Sequence, residues 1–290
     1  MKLKNLIIEL SFNCNFACWM CGYGGKPIDK KLFMNWDTFT EVVRRINAGE
    51  IRLNGRGEST IHPDINNMIR YVSIVRPNSQ LELFTNGSWK RSTGDLFFAK
   101  NVRLYISMDS LQKENLENIR KGVKFFHLLR QIESLGAIQP RPFIIFTLQN
   151  RNAHEVFEMA TFAWKKRMNI LYNVIHIATE KIDQKHLVKY VIGLSRAHEL
   201  YKETPELSCI IPDQIQGQQM NFDTVSTNNS GKCPAVTDEL CILYNGDILP
   251  CNMFCPEKLG NIDDLENMKD FKDQNNHWHC KSCASMTGGF

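Results

Sequence analysis

The chain has 290 residues, 43% of them hydrophobic, with a formal net charge of +4 and ten cysteines. That length accommodates one large domain plus a small appendage, and the charge is too small to indicate nucleic acid by itself. No apolar run approaches the roughly 18 residues of a membrane-spanning helix and no signal peptide is evident, so the reading is cytoplasmic, with no membrane and no nucleic-acid partner.

The first predicted strand, 6–10, leads into Cys14, Cys18 and Cys21, spaced C-x3-C-x2-C. Three thiolates from one short loop can ligate three corners of a cubane cluster and leave the fourth iron without a protein ligand. Zinc is the competing reading. Zinc sites usually pair two C-x-x-C knuckles or combine Cys with His, whereas here there is one knuckle and the nearest histidine is His62. A disulfide fits less well, because no secretory signal accompanies so many cysteines.

Further strands are predicted at 51–53, 81–84, 102–107, 143–148 and 170–177. Helices are predicted at 37–47, 64–75, 114–135, 154–167 and 184–201; the first carries Phe39, Val42, Val43 and Ile46 at helical spacing. Six β–α units imply a parallel sheet with right-handed crossovers and are too few for a full eight-stranded barrel.

Polar sets fall at the strand ends, where ligands bind in α/β sheets. Asn54-Gly55-Arg56-Gly57-Glu58 follows the second strand, Thr85-Asn86-Gly87 the third, and Ser107-Met108-Asp109-Ser110 the fourth. Asn150 and Asn152 follow the fifth. Glycines let backbone approach a ligand, a carboxylate accepts from an ammonium, and a hydroxyl with a carboxylate suits a ribose diol. The competing reading is turn and helix-cap chemistry, strongest for Thr85.

After Pro205 the texture changes. Residues 209–232 read as a linker or a loop over the core. Six of the ten cysteines lie beyond it. Asn245-Gly246-Asp247 between apolar runs predicts a hairpin, which would bring Cys233 near Cys251. Cys280-Lys281-Ser282-Cys283 supplies a second pair, and four thiolates complete a closed site, with zinc open as an alternative on ligand type alone. Cys241 reads as a small buried hydrophobe, and Cys209 has no assigned role. Cys255 reads as an unreactive thiol, a substitute ligand or a hydrogen-atom donor.

The cysteine loop and the glycine-rich turn after the second strand resemble the radical S-adenosylmethionine (SAM) family, whose open iron chelates the amino and carboxylate groups of SAM. The resemblance implies an α/β fold, a partial (β/α)6 TIM-like barrel over 1–205. Residues 206–290 look like a linker and the small C-terminal twitch domain, a β-hairpin plus helix related to the SPASM domain. Implied cofactors are SAM and two [4Fe–4S] clusters. Cys14, Cys18 and Cys21 would hold the first, and Cys233, Cys251, Cys280 and Cys283 the auxiliary one.

Gly55, Gly57, Glu58, Asn86, Ser107 and Asp109 match the family's SAM contacts. Two departures stand out: Arg56 replaces a usual glycine, and Met20 replaces the aromatic usually preceding the third cysteine, leaving Tyr23 or Trp19 to line the adenine or the Met20 thioether to pack on it.

The implied chemistry is reduction by flavodoxin or ferredoxin, SAM cleavage to a 5′-deoxyadenosyl radical, and hydrogen abstraction from a substrate C–H. The outcome would be oxidation or epimerisation of a small polar molecule such as a sugar, aminocyclitol or amino-acid derivative. Cys255 would be the hydrogen donor of an epimerase. The alternative is a maturase acting on a ribosomally made peptide or a protein side chain. Such maturases often carry an N-terminal leader-binding module, and this chain enters its first strand by Leu6, which favours the small molecule. A simple electron carrier conflicts with the open three-cysteine site. Exposed clusters also predict an anaerobic or protected setting.

Overall fold

The computed structural model describes residues 2–90, 93, 97, 102–135, 138–175, 179–212, 214–215, 218–219, 239–249 and 258–267. Its strands are β1 (Lys2–Ile8), β2 (Ala17–Cys18), β3 (Asn47–Leu53), β4 (Gln80–Thr85), β5 (Val102–Ser107), β6 (Arg120–Lys121) and β7 (Phe143–Leu148). They continue as β8 (Asn169–Val174), β9 (Cys209–Ile210), β10 (Gln214–Ile215), β11 (Gln218–Gln219), β12 (Glu239–Ile242), β13 (Asp247–Leu249) and β14 (Gly260–Asn261). The helices are α1 (Trp36–Arg45), α2 (Ile65–Val75), α3 (Lys113–Ile119), α4 (Phe125–Ser134), α5 (Val156–Lys165) and α6 (Gln184–Lys202).

One ten-stranded sheet runs β14-β13-β12-β1-β3-β4-β5-β7-β8-β9. The pairings from β12 through β9 are parallel, and β13 and β14 add antiparallel strands at one edge. The six predicted strands form its centre in chain order, as right-handed β–α repeats require.

Successive side chains point to opposite faces of a strand. Leu6, Ile8, Ile51, Leu53, Leu81, Leu83, Leu104, Ile106, Ile144 and Phe146 share one buried cluster with Phe39, Val42, Val43, Met68 and Ile69 of the helices. Each such side chain contributes about 1.5–3 kcal/mol by leaving water. Helix α1 starts where it does because the Asn35 side chain accepts from the Thr38 amide at 2.8 Å.

The opposite face carries a stacked ladder, Phe84–Tyr105–Phe143, with ring centroids 4.3 and 4.8 Å apart. Next to it Glu82 is buried. It is neutralised by Arg52 at 2.8 Å and Arg103 at 3.1 Å and accepts the Tyr105 hydroxyl at 2.9 Å. A buried carboxylate needs such partners.

Four details differ from the sequence reading. First, the helix predicted at 37–47 ends at Arg45, because Asn47 already pairs with Lys2 in the sheet. Second, the helix predicted at 114–135 is two helices. Between them β6 pairs antiparallel with β2, and Gly122 takes φ +106°, which a helix cannot continue through. Third, β8 ends at Val174.

Fourth, the hairpin forms at Gly246, but its first strand, β12, lies parallel to β1 and extends the main sheet. Its edge buries Cys241 with Ile7, Leu243 and Leu249, as expected of a small hydrophobe. The stretch read as a linker from 209 begins instead with β9, which pairs parallel with β8 at the edge of the main sheet; Cys209 lies in it, where burial pushes its thiol up to about 12. Cys233, Cys251, Cys255, Cys280 and Cys283 lie outside the described residues, and with them the proposed closed site. No described helix is long and apolar enough to cross a membrane.

Candidate active site

The cysteine loop leaves the C-terminal end of β1 and is held from several sides. Ser11 Oγ bridges the Asn13 amide and carbonyl at 3.0 Å each. Asn13 in turn exchanges two 2.9 Å bonds with the backbone of Asp29, closing the loop on itself. Within it the Cys21 amide donates to the Cys18 carbonyl at 3.0 Å. Cys14 and Cys18 are partly buried against the core, and Cys21 is exposed.

Burial pushes the Cys14 thiol up to about 11. The Phe16 amide opposes this, and Glu58, Cys18 and Cys21 add to it. Burial likewise raises Cys18, opposed chiefly by Arg120. Buried thiols stay protonated without a cation, and bound iron supplies the charge that ionises them. Among the described residues, no three His, Cys, Asp or Glu side chains gather to hold one metal ion. A cubane puts each thiolate on a different iron, so its cysteines need not converge on one point. The donor set, three thiols on one loop, fits three corners of such a cluster.

The turn 54–58 docks on this loop. A Cβ on Gly57 would lie 2.3 Å from the carbonyl oxygens of both Ser11 and Asn13, and one on Gly55 would lie 2.5 Å from Glu9 Cγ. The glycines thus let backbone meet protein backbone and side chain here. Arg56, the departure from the family pattern, pairs with buried Glu9 through Nε at 2.8 Å and Nη2 at 2.6 Å. Its guanidinium also lies 4.4 Å over the Phe12 ring. Phe12 stacks on Tyr244 of the C-terminal hairpin at 6.0 Å and meets Tyr23 edge-on at 5.7 Å.

Glu58 is 4% exposed, and its carboxylate is largely occupied by the protein itself. Oε1 accepts from the Thr60 amide at 3.0 Å and hydroxyl at 2.5 Å, and from the Thr85 hydroxyl at 2.8 Å; Oε2 accepts the Asn86 amide at 2.7 Å. Burial raises its carboxyl above the usual carboxylate range against these donors. From Asn86 the network continues: Nδ2 donates to Asn15 Oδ1 at 3.0 Å, and Asn15 Nδ2 donates to Ser88 Oγ at 2.9 Å. Glu58, Thr85, Asn86 and the cysteine loop are therefore one bonded unit. Thr85 takes the turn role that competed with ligand contact.

Asp109 was expected at the ribose. It is instead 0% exposed, with Oδ2 on Arg120 Nε at 2.6 Å and Oδ1 accepting the Thr147 amide at 2.7 Å. Both oxygens serve the fold. Ser107, half-buried, ends β5 on the face of the aromatic ladder. Asn152 is buried and donates to the Asp109 and Thr147 carbonyls, and Asn150 ties down 180–183, so both amides are bonded within the fold. Trp19 donates to Gln149 at 2.7 Å, with the Arg151 guanidinium 4.4 Å over its ring. Met20 packs on the core. Sequence reasoning missed Glu9, Asn15, Arg120 and Gln149. Nothing in their spacing sets them apart from ordinary strand, loop or helix residues.

A parallel α/β sheet with a three-cysteine loop at the end of its first strand, and a glycine turn bonded to that loop, defines a radical SAM core. The chain belongs to the radical SAM superfamily, whose model matches residues 8–163. Among curated relatives, a probable GTP 3′,8-cyclase of Saccharolobus solfataricus is 27% identical over 184 residues, covering 60% of this chain. The chain spans about half the length of that relative, 56%. A probable GTP 3′,8-cyclase of Thermococcus kodakarensis is 24% identical over 271 residues, 85% of this chain and 87% of the relative.

Among solved structures, Streptococcus suis SuiB bound to S-adenosylmethionine superposes with TM-score 0.71 at 16% identity, over 97% of this chain and 71% of that one. The structure of anSMEcpe with bound AdoMet gives 0.70 at 18%, over 97% and 83%. These likenesses establish the fold. Membership of the superfamily brings SAM and a [4Fe–4S] cluster as cofactors.

Proposed function

We propose that Cys14, Cys18 and Cys21 hold the cluster that reductively cleaves SAM, and that the enzyme removes hydrogen from a C–H bond of a small polar molecule. Bound there, the cluster and SAM supply one-electron cleavage chemistry that the protein cannot perform alone. The chain's own residues hold, orient and shield. The observation that carries this reading is the bonding of the 54–58 turn to the residue before Cys14, with Glu58 fixing both Asn86 and, through it, Asn15. The 54–58 turn and the cysteine loop thus form one bonded unit.

In this reading Ser107 and Tyr23 contact SAM directly, while Glu58, Asn86 and Asp109 act by holding the groups that do. Trp19, backed by Gln149 and Arg151, walls the loop against water. An acidic single-electron carrier of the flavodoxin or ferredoxin class supplies the electron. Cys233, Cys251, Cys280 and Cys283 hold a second cluster in a twitch-type extension, and Cys255 is the candidate hydrogen donor.

The product is an oxidised or epimerised sugar, aminocyclitol or amino-acid derivative, or a ring-closed nucleotide. The last is supported by relatives named as GTP 3′,8-cyclases, whose named substrate is itself small and polar. The test is incubation of reconstituted protein with SAM, dithionite and GTP, or with sugar, aminocyclitol, amino-acid and peptide candidates, in D2O. Substrate-dependent 5′-deoxyadenosine with a small molecule supports the reading, and deuterium in the product marks an exchangeable donor. Turnover of peptide alone would overturn the substrate class.

A further inference from the structure

We propose that Arg120 is a positioning residue for the cysteine loop, setting the charge felt at Cys18 and thereby the reduction potential of the cluster. The inference rests on the reading of Cys14, Cys18 and Cys21 as its ligands.

The geometry is specific. Strand β6 pairs with β2 so that Arg120 stands opposite Cys18. The Trp19 amide bonds the Ile119 carbonyl at 3.1 Å, fixing the same junction. The Arg120 side chain is 10% exposed, with Nη1 4.0 Å from Cys18 Sγ and Nε 2.6 Å from Asp109 Oδ2. Asp109 is itself fixed by the Thr147 amide at 2.7 Å. The guanidinium is thus clamped from behind and aimed at the sulfur.

A helix is broken to achieve this, since continuing 114–135 as one helix would lose the pairing that sets Arg120 beside Cys18. A buried ion pair is often no more stabilising than apolar side chains of similar volume. Around iron–sulfur sites, hydrogen bonds to the ligand sulfurs and nearby charge tune potential. A cation beside Cys18 favours the more negative, reduced cluster, and Asp109 opposes that effect in part.

The pair gives a prediction of sign. Arg120→Met should shift the potential more negative, because the cation is lost. Asp109→Asn should shift it more positive, because the cation is left uncompensated. The double variant should lie between the two. Loosened packing would move both single variants the same way. Arg120→Lys, which keeps charge without the fork, should lie nearer wild type than Arg120→Met.

The experiment is a dithionite-mediated redox titration of the reconstituted protein, following the electron paramagnetic resonance signal that changes on adding SAM. Iron is quantified for each protein. Should Arg120→Met fail to retain iron, Arg120→Gln, which also removes the cation but keeps a donor toward Asp109, and Asp109→Asn carry the same comparison of sign. Shifts of one sign, or no shift with iron retained, would overturn the inference. A SAM-responsive signal that survives in a Cys14→Ala, Cys18→Ala, Cys21→Ala protein would instead overturn the ligand reading, and this inference with it.

Discussion

The backbone amide of Glu58 donates to the carbonyl oxygen of Asn13 at 2.8 Å, so the turn after β3 is bonded to the residue preceding the first cysteine. The contact exists because Gly57 has no side chain: a Cβ there would lie 2.3 Å from the Asn13 and Ser11 carbonyl oxygens. Gly57→Ala should therefore push the turn off the loop. We expect a loss of about 1–3 kcal/mol, the usual range for overpacking. It should appear as a lower unfolding midpoint and reduced iron retention after reconstitution. Wild-type values of both would mean that the turn and loop are not coupled.

The parallel core, the cysteine loop and the strand-end turns were legible because each rests on local pattern. Apolar runs read as strands, and cysteine spacing and Gly-rich turns read as sites. What stayed hidden depends on partners distant in sequence. Arg120 looks like a helix residue until Gly122 turns the chain and Asp109 captures the guanidinium. Asp109 and Ser107 both sit at the end of β5, yet only the fold decides that Asp109 turns inward while Ser107 stays half-buried. The hairpin at Gly246 was legible, but its parallel pairing with β1, more than two hundred residues earlier, was not.

Glu58 tests how the unit is held. Glu58→Gln keeps the shape but replaces one acceptor oxygen with a donor amide, which must face the Asn86 amide or the donors of Thr60 and Thr85. The lost charge-assisted bond and the unpaired donor should cost about 1.5–3 kcal/mol. Calorimetry should show the lower midpoint, and SAM titration a weaker affinity as Asn86 loosens. An unchanged midpoint with weaker SAM binding would mean that the carboxylate meets SAM directly.

His62 predicts a pH dependence. It is buried, its Nδ1 accepts the Asp64 amide at 3.0 Å, and its Nε2 lies 2.8 Å from the Met34 carbonyl oxygen, so Nε2 carries the proton. Burial holds its pKa below the usual 6.5, with Met34 and Asp64 opposing. The unfolded chain then binds more protons than the folded one below about pH 6.5. Stability should fall as pH drops through that value and level off below the depressed folded pKa. His62→Gln should flatten this part of the unfolding-midpoint profile between pH 7 and 5. An identical profile in the variant would remove His62 from the account.

The C-terminal cysteines should behave as a set. With two [4Fe–4S] clusters the wild type should bind about eight iron atoms per chain. Replacing any of Cys233, Cys251, Cys280 or Cys283 with Ala should make the second cluster labile while SAM cleavage persists at a reduced level. Cys255→Ala distinguishes outcomes. Full iron and SAM cleavage without product identifies the hydrogen donor of an epimerase. Lost iron makes Cys255 a ligand, and wild-type turnover favours oxidation through the second cluster.

The most direct measurement is 5′-deoxyadenosine formation, with iron quantified in the same sample, by anaerobically reconstituted wild type and by the Cys14→Ala, Cys18→Ala, Cys21→Ala triple variant. The account predicts that the variant keeps about half of the iron, if both clusters form in the wild type, and makes no 5′-deoxyadenosine. A triple variant that still cleaves SAM would contradict it.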